Sequence, residues 1–191
     1  MPDYDLDNAY EIDGPDSAKA LYGAWADTYD SSFGVGWGYI APREIARIYA
    51  DLSDGDAPIL DIGAGTGLVA EHLGDRVVDG IDITPEMLDV AAAKGLYRNR
   101  IVGNLLEPLT MATDSYGGVI SSGTFTHGHV GPECLPELLR VTRPGALFVC
   151  GCIPPVFDGM GFGSALAVLN ARGHIGDLSF RDIPIDRKSV V

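Results

Sequence analysis

The sequence is poor in cysteine, in basic residues and in long apolar runs. Its 3 cysteines are irregularly spaced, so they supply neither a disulfide framework nor the four ligands of a structural zinc site. No run of about 18 apolar residues is present to cross a bilayer. The first residues are acidic, whereas a secretion signal is basic and then apolar. We therefore expect a soluble, unexported, cytoplasmic protein.

The charge balance restricts the partners. The chain carries 13 basic and 27 acidic side chains, for a net charge of -14. A field of this sign repels phosphate backbones and anionic lipid. The sequence therefore predicts no nucleic-acid partner and no membrane partner, and it favours a small-molecule ligand.

Composition divides the chain into an acidic beginning and a globular remainder. Residues 1–16 contain acidic side chains and no basic one, which predicts a flexible tail. We expect a single domain over 17–191, with N-terminal helices in 17–54 and an α/β core in 55–191. The first helix carries an aromatic stripe of Tyr22, Trp25 and Tyr29 at helical spacing.

The core alternates short apolar runs with helical stretches, which indicates crossover units and a parallel sheet with helices on both faces. The predicted strands lie at about 58–62, 77–82, 99–103, 117–123, 145–152 and 175–183. The predicted helices lie at about 42–52, 67–74, 85–94, 132–142 and 162–172, and 154–163 is interpreted as a flexible apolar loop.

A glycine-rich loop follows the first core strand. Gly63, Gly65 and Gly67 occur where an apolar strand runs into a helix. Such loops let a ligand approach the backbone, and a helix N-terminus attracts an anionic group. Leu68 stands where the dinucleotide fingerprint has its third glycine, which disfavours a nicotinamide-dependent oxidoreductase. An adenosine-containing cofactor is favoured over a tight turn without ligand.

Two aspartates end neighbouring strands. Asp61 closes the first core strand, where it can face an ammonium group, and Asp82 closes the second. A carboxylate at the second position can accept both hydroxyls of a ribose. Taken alone, Asp82 is equally consistent with a helix cap for the helix that starts near Pro85. Together with the glycine loop, the ligand interpretation is preferred.

These residues resemble those of the class I S-adenosylmethionine-dependent methyltransferases. The resemblance rests on Asp61–Gly67 (DIGAGTG), Asp82 and Asn104. A narrower resemblance is to the Williams-Beuren-region methyltransferase-like proteins, and it covers nearly all of 21–145. It is carried by the motifs YGAWADTYD at 22–30, Met87-Leu88, KGLY at 94–97 and GTFTHGHV at 123–130.

The resemblance implies a three-layer, Rossmann-like sandwich with a mostly parallel seven-stranded sheet in the order 3-2-1-4-5-7-6, covered by an N-terminal helical lid. It implies S-adenosylmethionine as cofactor and S-adenosylhomocysteine as product. The chain ends about where the seventh strand would begin, so we expect an incomplete last strand and a possible homodimer through the open sheet edge.

The resemblance also assigns cofactor contacts. It places Gly63, Gly65 and Gly67 at the methionine portion and Asp61 at its ammonium, directly or through water. Asp82 would hold the ribose. The adenine would lie between Ile83 and Met87, with its amino edge at Asn104 and the Leu105 backbone, although the family more often has aspartate at the position of Asn104. Gly123 and Thr124 would lie near the sulfonium.

The flanking motifs leave alternatives open. Tyr22 and Tyr29 are interpreted either as a packing stripe or as hydroxyl donors to the methionine carboxylate, with Trp25 packed beneath them. His127 and His129 are candidates for a general base, against a structural role in their loop; zinc is disfavoured because no third ligand is evident. No metal is predicted.

The predicted function is transfer of a methyl group from S-adenosylmethionine to a small-molecule acceptor by in-line displacement. The alternative is a sensor or interaction protein that binds S-adenosylmethionine or S-adenosylhomocysteine without catalysis. Turnover with an acceptor would distinguish the two.

Overall fold

A parallel sheet of five strands forms the centre of the protein. The structure, a computed structural model, describes residues 12, 14–36, 38–126, 128 and 130–186. Every adjacent pair of strands is parallel, in the order β3-β2-β1-β4-β5. The strands are β1 Ile59–Ile62, β2 Val78–Asp82, β3 Arg100–Val102, β4 Tyr116–Phe125 and β5 Thr142–Cys152.

Helices precede the sheet and connect its strands. Proline opens most of them, because the first turn needs no N–H from that residue. The helices are α1 Pro15–Tyr29, α2 Ala41–Leu52, α3 Pro85–Ala93, α4 Leu135–Val141, α5 Pro154–Gly159 and α6 Phe162–Ala171. A π-helical segment, Asp30–Gly36, continues α1, and short 3-10 turns lie at Ala70–His72 and Pro132–Cys134.

Both faces of the sheet are covered, which confirms three layers. Leu60 and Ile62 of β1 face a cluster that includes residues of α4, α5 and α6. Ile59 faces a second cluster, which contains Ile45 and Tyr49 of α2. β1, in the middle of the sheet, is buried at all four positions, and three of them are apolar. Because all strands are parallel, their carboxyl ends meet at one edge of the sheet.

The seven-stranded expectation is corrected to five strands in the described residues. The order of the first five strands is confirmed. The strand predicted at 175–183 is absent: that segment runs past the sheet without regular structure, and Phe180 is 74% exposed. A segment that buries so little apolar surface gains nothing from pairing with β5. It returns instead to Tyr39, which forms an isolated bridge with Asp186.

The helix expected at about 132–142 is confirmed as the 3-10 turn Pro132–Cys134 followed directly by α4, Leu135–Val141. Two other local predictions were wrong. The helix expected at 67–74 is reduced to the turn Ala70–His72, because Gly67 adopts a left-handed conformation that cannot begin an α-helix. The segment 154–163 is helical over Pro154–Gly159.

Other predictions remain predictions. Most of the acidic tail, residues 1–11 and 13, lies outside the described residues, while Ile12 is buried beside Gly128. The division at residue 17, the cytoplasmic location and pairing of two copies along β5 are not tested by the fold. Across the described ranges, no helix has both the length and the apolar character needed to cross a membrane.

Candidate functional site

A cavity opens at the carboxyl edge of the sheet. Its space between protein atoms is about 990 Å³, including the part that is open to solvent. The glycine loop, the end of β2 and the end of β4 form its floor, and α1 contributes to its cover. The lining includes Gly63, Ala64, Gly65, Thr66, residues 81–84, Met87, residues 103–106, Ser122, Gly123, Thr124, Tyr22, Tyr29 and Tyr39.

The glycine loop is packed against the end of β4. Gly63 has φ 60°, and a Cβ there would overlap the Thr124 hydroxyl. The Thr124 and Ser121 oxygens lie 2.7 Å apart, and each lies 2.9 Å from the Ile62 carbonyl oxygen. These hydroxyls tie β4 to β1 directly beneath the loop. Only glycine leaves room for this contact at position 63.

Gly67 has a different neighbour from Gly63 and Gly65. It does not line the cavity, and a Cβ on it would overlap Leu96. Gly65, by contrast, faces open space, since the nearest atom to its Cβ position is the Gly63 carbonyl oxygen at 4.0 Å. The structure therefore brings Gly63 and Gly65 to the cavity, and it places Gly67 against the chain behind the loop.

Asp82 lines the cavity and also organises the backbone around it. Its Oδ2 accepts a hydrogen bond from the Gly65 N–H and its Oδ1 accepts one from the Thr84 N–H, both at 2.8 Å. Burial raises the pKa of Asp82, and the two backbone donors oppose that rise. The N-cap residue of α3 is Thr84, and no side chain among the described residues caps this helix, so Asp82 is not its cap and the ligand interpretation is the one that the geometry supports.

Asp61 lies behind the loop rather than in the cavity wall. It is 1% exposed and is not among the lining residues. Its Oδ2 accepts a hydrogen bond of 2.8 Å from the Tyr97 hydroxyl. Burial raises the pKa of Asp61 to about 8, although the Tyr97 hydrogen bond lowers it. Ionisation of the Asp61 carboxyl group therefore costs free energy, and a nearby cation would reduce that cost.

The opposite wall of the cavity is mainly apolar. Ile83, Met87 and Leu105 line it together, and Met87 and Leu105 are buried. Asn104 also lines it, but its Oδ1 already accepts a hydrogen bond of 3.0 Å from the Leu106 N–H. A hydroxyl, amine or amide ligand would share that oxygen, since an amide oxygen has two lone pairs.

The aromatic stripe of α1 combines packing with contact to the cavity. Trp25 is 1% exposed and outside the lining, and its indole N–H donates to Ser32 Oγ at 2.9 Å. Its ring lies edge-on to Tyr29 at 5.0 Å and parallel to Tyr22 at 6.3 Å. Tyr22 and Tyr29 line the cavity. Burial, with the nearby Tyr22 and Tyr39 hydroxyls, raises the pKa of Tyr29 well above its usual range, so this phenol stays protonated.

Asp30, the residue after α1, joins this helix to the glycine loop. Its Oδ1 accepts a hydrogen bond of 2.5 Å from Thr66 Oγ1, and its Oδ2 pairs with Lys94 Nζ at 2.6 Å. Lys94 also pairs with Glu71. Sequence reasoning missed this contact. The signal available was the pair of motifs themselves, because Asp30 ends one of the family-like motifs and Lys94 begins another.

The end of β4 adds two residues that sequence reasoning also missed. The Tyr39 hydroxyl lies 2.7 Å from Ser122 Oγ, and both side chains line the cavity beside Gly123. Tyr39 stands 83 positions before Ser122, so no local pattern could pair them. His127 and His129, the candidate bases, lie outside the described residues.

The electrostatics of the cavity follow from its lining. Asp82 is the one charged side chain among the described residues that form it, and the remaining polar groups are hydroxyls, one amide and backbone groups. Such a surface favours a ligand with positive charge next to apolar and hydroxyl-bearing parts. Within the described ranges, no three His, Cys, Asp or Glu side chains are arranged to hold a metal ion.

Comparisons with known proteins agree with this arrangement. The family described as "Methyltransferase domain" matches residues 60–150. Methyltransferase-like protein 27 of Homo sapiens is 37% identical over 145 residues, which are 71% of this chain and 58% of that protein. The chain thus spans under two thirds of that relative's length.

Solved structures share the fold. The CcbJ methyltransferase from Streptomyces caelestis superposes with a TM-score of 0.57 and 26% identity, covering 70% of this chain and 58% of that one. The DhpI–SAH complex gives a TM-score of 0.58 and 21% identity, covering 72% and 69%. Together with the glycine loop and the strand order, these findings confirm the resemblance: the chain belongs to the class I S-adenosylmethionine-dependent methyltransferase family.

Proposed function

We propose that this protein binds S-adenosylmethionine and transfers its methyl group to a small-molecule acceptor. One observation carries the proposal: the glycine loop, Asp82 and the α1 tyrosines, which are far apart in sequence, line one cavity at the carboxyl edge of the sheet. Family membership supports the cofactor, and the enclosed site supports a small acceptor.

The residues present fit this cofactor. It carries two positive charges, on the sulfonium and the ammonium, and the described lining has Asp82 as its one charged side chain. Aromatic faces such as those of Tyr22 and Tyr29 also attract a cation. The apolar wall formed by Ile83, Met87 and Leu105 suits a purine ring, and a Cβ-free loop at Gly65 leaves space for close approach.

In this proposal each wall binds one part of the cofactor. Asp82 accepts hydrogen bonds from the ribose, while Ile83 and Met87 flank the adenine and Asn104 and the Leu105 backbone read its amino edge. The methionine portion lies along Gly63 and Gly65, with Tyr22 and Tyr29 donating to its carboxylate. Gly123 and Thr124 lie near the sulfonium. Trp25, Asp61 and Gly67 act from behind the wall.

The cofactor, when bound, supplies an electrophilic methyl group with a good leaving group. What the chain supplies is position and exclusion of water: α1 covers the cavity, and the Asp30 contacts with Thr66 and Lys94 hold this cover on the loop. An in-line arrangement needs the acceptor atom opposite the sulfur. We place the acceptor beside Gly123, where the Tyr39 and Ser122 hydroxyls can orient it.

A neutral or cationic acceptor suits the acidic surface and the absence of basic side chains from the described lining. If the acceptor must lose a proton, His127 or His129 is proposed as the base. Replacing both by alanine should then reduce turnover and remove the part of its pH profile that reports deprotonation of the histidine. Unchanged turnover in the double variant would assign these histidines to the structure of their loop.

The cofactor is tested by calorimetric titration with S-adenosylmethionine, S-adenosylhomocysteine and NAD. We expect micromolar binding of the first two, no binding of NAD, and loss of binding in Asp82→Ala. Asp89→Asn is the matched control, since its carboxylate lies on α3 with 80% of the side chain exposed. A folded wild-type protein that binds neither sulfur ligand would refute the proposal. Binding without product formation across an acceptor screen would favour the non-catalytic sensor.

A further inference from the structure

The KGLY segment, residues 94–97, contacts Asp30, the glycine loop and Asp61 without lining the cavity. Lys94 pairs with Asp30 of the lid. Leu96 occupies the space that a side chain at Gly67 would need. The Tyr97 hydroxyl donates to Asp61 and lies 3.5 Å from the Ala64 carbonyl oxygen. The cofactor contacts proposed above give this segment no role.

Asp61 differs from the other two aspartates of β1 and β2 in its hydrogen bonds. Asp79 accepts hydrogen bonds from Arg98, Asn99 and Tyr116. Asp82 accepts from two backbone N–H groups. Asp61 is as buried as Asp79, each being 1% exposed. Yet, over the part of the chain that the structure describes, only Tyr97 donates to it.

A buried carboxylate with one hydrogen bond lacks most of the partners that its four lone-pair sites can accept. Burial without compensation disfavours the charged form, in line with the pKa of about 8 for Asp61. A cation on the other side of the loop would stabilise the charged form of Asp61. Gly63 and Ala64, which follow Asp61 and Ile62 in the chain, both line the cavity.

We propose that Tyr97 is a positioning residue that orients Asp61 toward the ammonium group at the methionine end of the cofactor. This inference rests on the proposed function, because it presupposes that the cavity binds S-adenosylmethionine. Tyr97 itself touches no ligand in this proposal. Its hydroxyl fixes one carboxylate oxygen of Asp61, so that the charge of Asp61 acts on the ammonium group from behind the loop.

The ring and the hydroxyl of Tyr97 have separate tasks. The ring packs on Gly80, where a Cβ would lie 2.9 Å from the ring carbons, whereas the hydroxyl is the atom that reaches Asp61. Tyr97→Phe therefore removes the orienting contact and keeps the packing. Tyr116→Phe is the matched control, because it removes a hydroxyl 3.0 Å from another buried aspartate, Asp79, in the same sheet and outside the cavity lining.

The test compares two ligands by calorimetry at pH 7.5. S-adenosylhomocysteine carries the ammonium group, whereas 5′-methylthioadenosine has the same nucleoside without the amino-acid end. For Tyr97→Phe we expect about a 10-fold loss of affinity for S-adenosylhomocysteine, because the hydrogen bond that Tyr97 donates to the Asp61 carboxylate, a bond to a charged group, is lost. Affinity for 5′-methylthioadenosine should stay within about 2-fold of wild type. Tyr116→Phe should leave both affinities unchanged.

A double-mutant cycle with Asp61→Asn checks that Tyr97 acts through Asp61. The single Asp61→Asn variant should show the same ligand selectivity, and adding Tyr97→Phe to it should cause no further loss. Equal losses for both ligands in Tyr97→Phe, or no loss, would overturn the inference and leave the proposed function standing. A wild-type protein that binds neither ligand would overturn both. Far-UV circular dichroism and thermal melts establish that each variant is folded.

Discussion

Alanine substitutions at Gly63 and Gly65 should separate the stability of the glycine loop from its ability to bind ligand. Both residues have positive φ, 60° and 52°, which costs an L-residue about 1–2 kcal/mol. At Gly63 the added Cβ also overlaps the Thr124 hydroxyl and lies 3.1 Å from the Thr124 Cβ. Overpacking of this kind costs about 1–3 kcal/mol more. At Gly65 the added Cβ meets open space.

We therefore expect Gly63→Ala to lose about 2–5 kcal/mol of unfolding free energy and Gly65→Ala about 1–2 kcal/mol. Urea unfolding followed by circular dichroism measures both, with equal m-values required for the comparison. The variant that costs less stability should have the greater effect on ligand binding. Gly65→Ala should abolish S-adenosylhomocysteine binding while remaining folded, because its Cβ enters the cavity.

A second-site variant makes the reasoning refutable. Thr124→Ala removes the hydroxyl and the methyl group that Gly63→Ala would meet and keeps only the Cβ contact of 3.1 Å. In that background Gly63→Ala should therefore cost less, approaching the conformational part of about 1–2 kcal/mol. If Gly63→Ala costs the same with and without the Thr124 hydroxyl, or no more than Gly65→Ala, the packing argument is wrong.

Two further predictions concern ion pairs. Arg98→Met leaves the buried Asp79 carboxylate without its charged partner and should lower the unfolding free energy by about 2–4 kcal/mol. Arg100→Met should cost less than about 0.5 kcal/mol, because its partner Asp89 is 80% exposed. Burial alone would raise the pKa of Asp79, but its hydrogen bonds with Arg98, Asn99 and Tyr116 lower it. The stabilisation by Arg98 is therefore present above the pKa of the unfolded state and is lost as pH falls through the pKa of the folded state. Urea unfolding should show a smaller difference in unfolding free energy between wild type and Arg98→Met at pH 3 than at pH 7. Asp30→Asn should release S-adenosylhomocysteine about 5–30-fold faster in stopped-flow fluorescence, the equivalent of about 1–2 kcal/mol, whereas Asp27→Asn, on the exposed side of α1, should not.

The parts of the fold and site that were predictable are those encoded by local pattern. The alternation of apolar runs and helical stretches predicted the five observed strands and their parallel pairing, whereas their order was implied by the family resemblance. The glycines and Asp82 were located because a strand, a tight turn and a helix follow one another in sequence. The parts that were missed depend on contacts between distant segments. No sequence pattern near Tyr39 predicts its contact with Ser122, and none near Asp30 predicts its contact with Thr66.

The errors also have physical causes. The strand predicted at 175–183 has the composition of a strand, but strand formation depends on a partner and on buried surface, neither of which a nine-residue window contains. Likewise, Gly67 was read as a ligand contact from its motif. Its neighbour Leu96 comes from 29 positions later, and only the folded chain brings them together.

The way in which α1 and the π-helical segment after it pack on the rest of the protein determines how the chain can be shortened. Neither apolar cluster on the sheet includes a residue of α1 or of the π-helical segment. We therefore expect a chain trimmed to begin at residue 38 to keep its sheet and both apolar clusters, and to expose the surface of α3 on which α1 packs. It would nevertheless lack Tyr22, Tyr29 and Asp30, and thus one wall of the cavity. Such a fragment could fold and still fail to bind ligand.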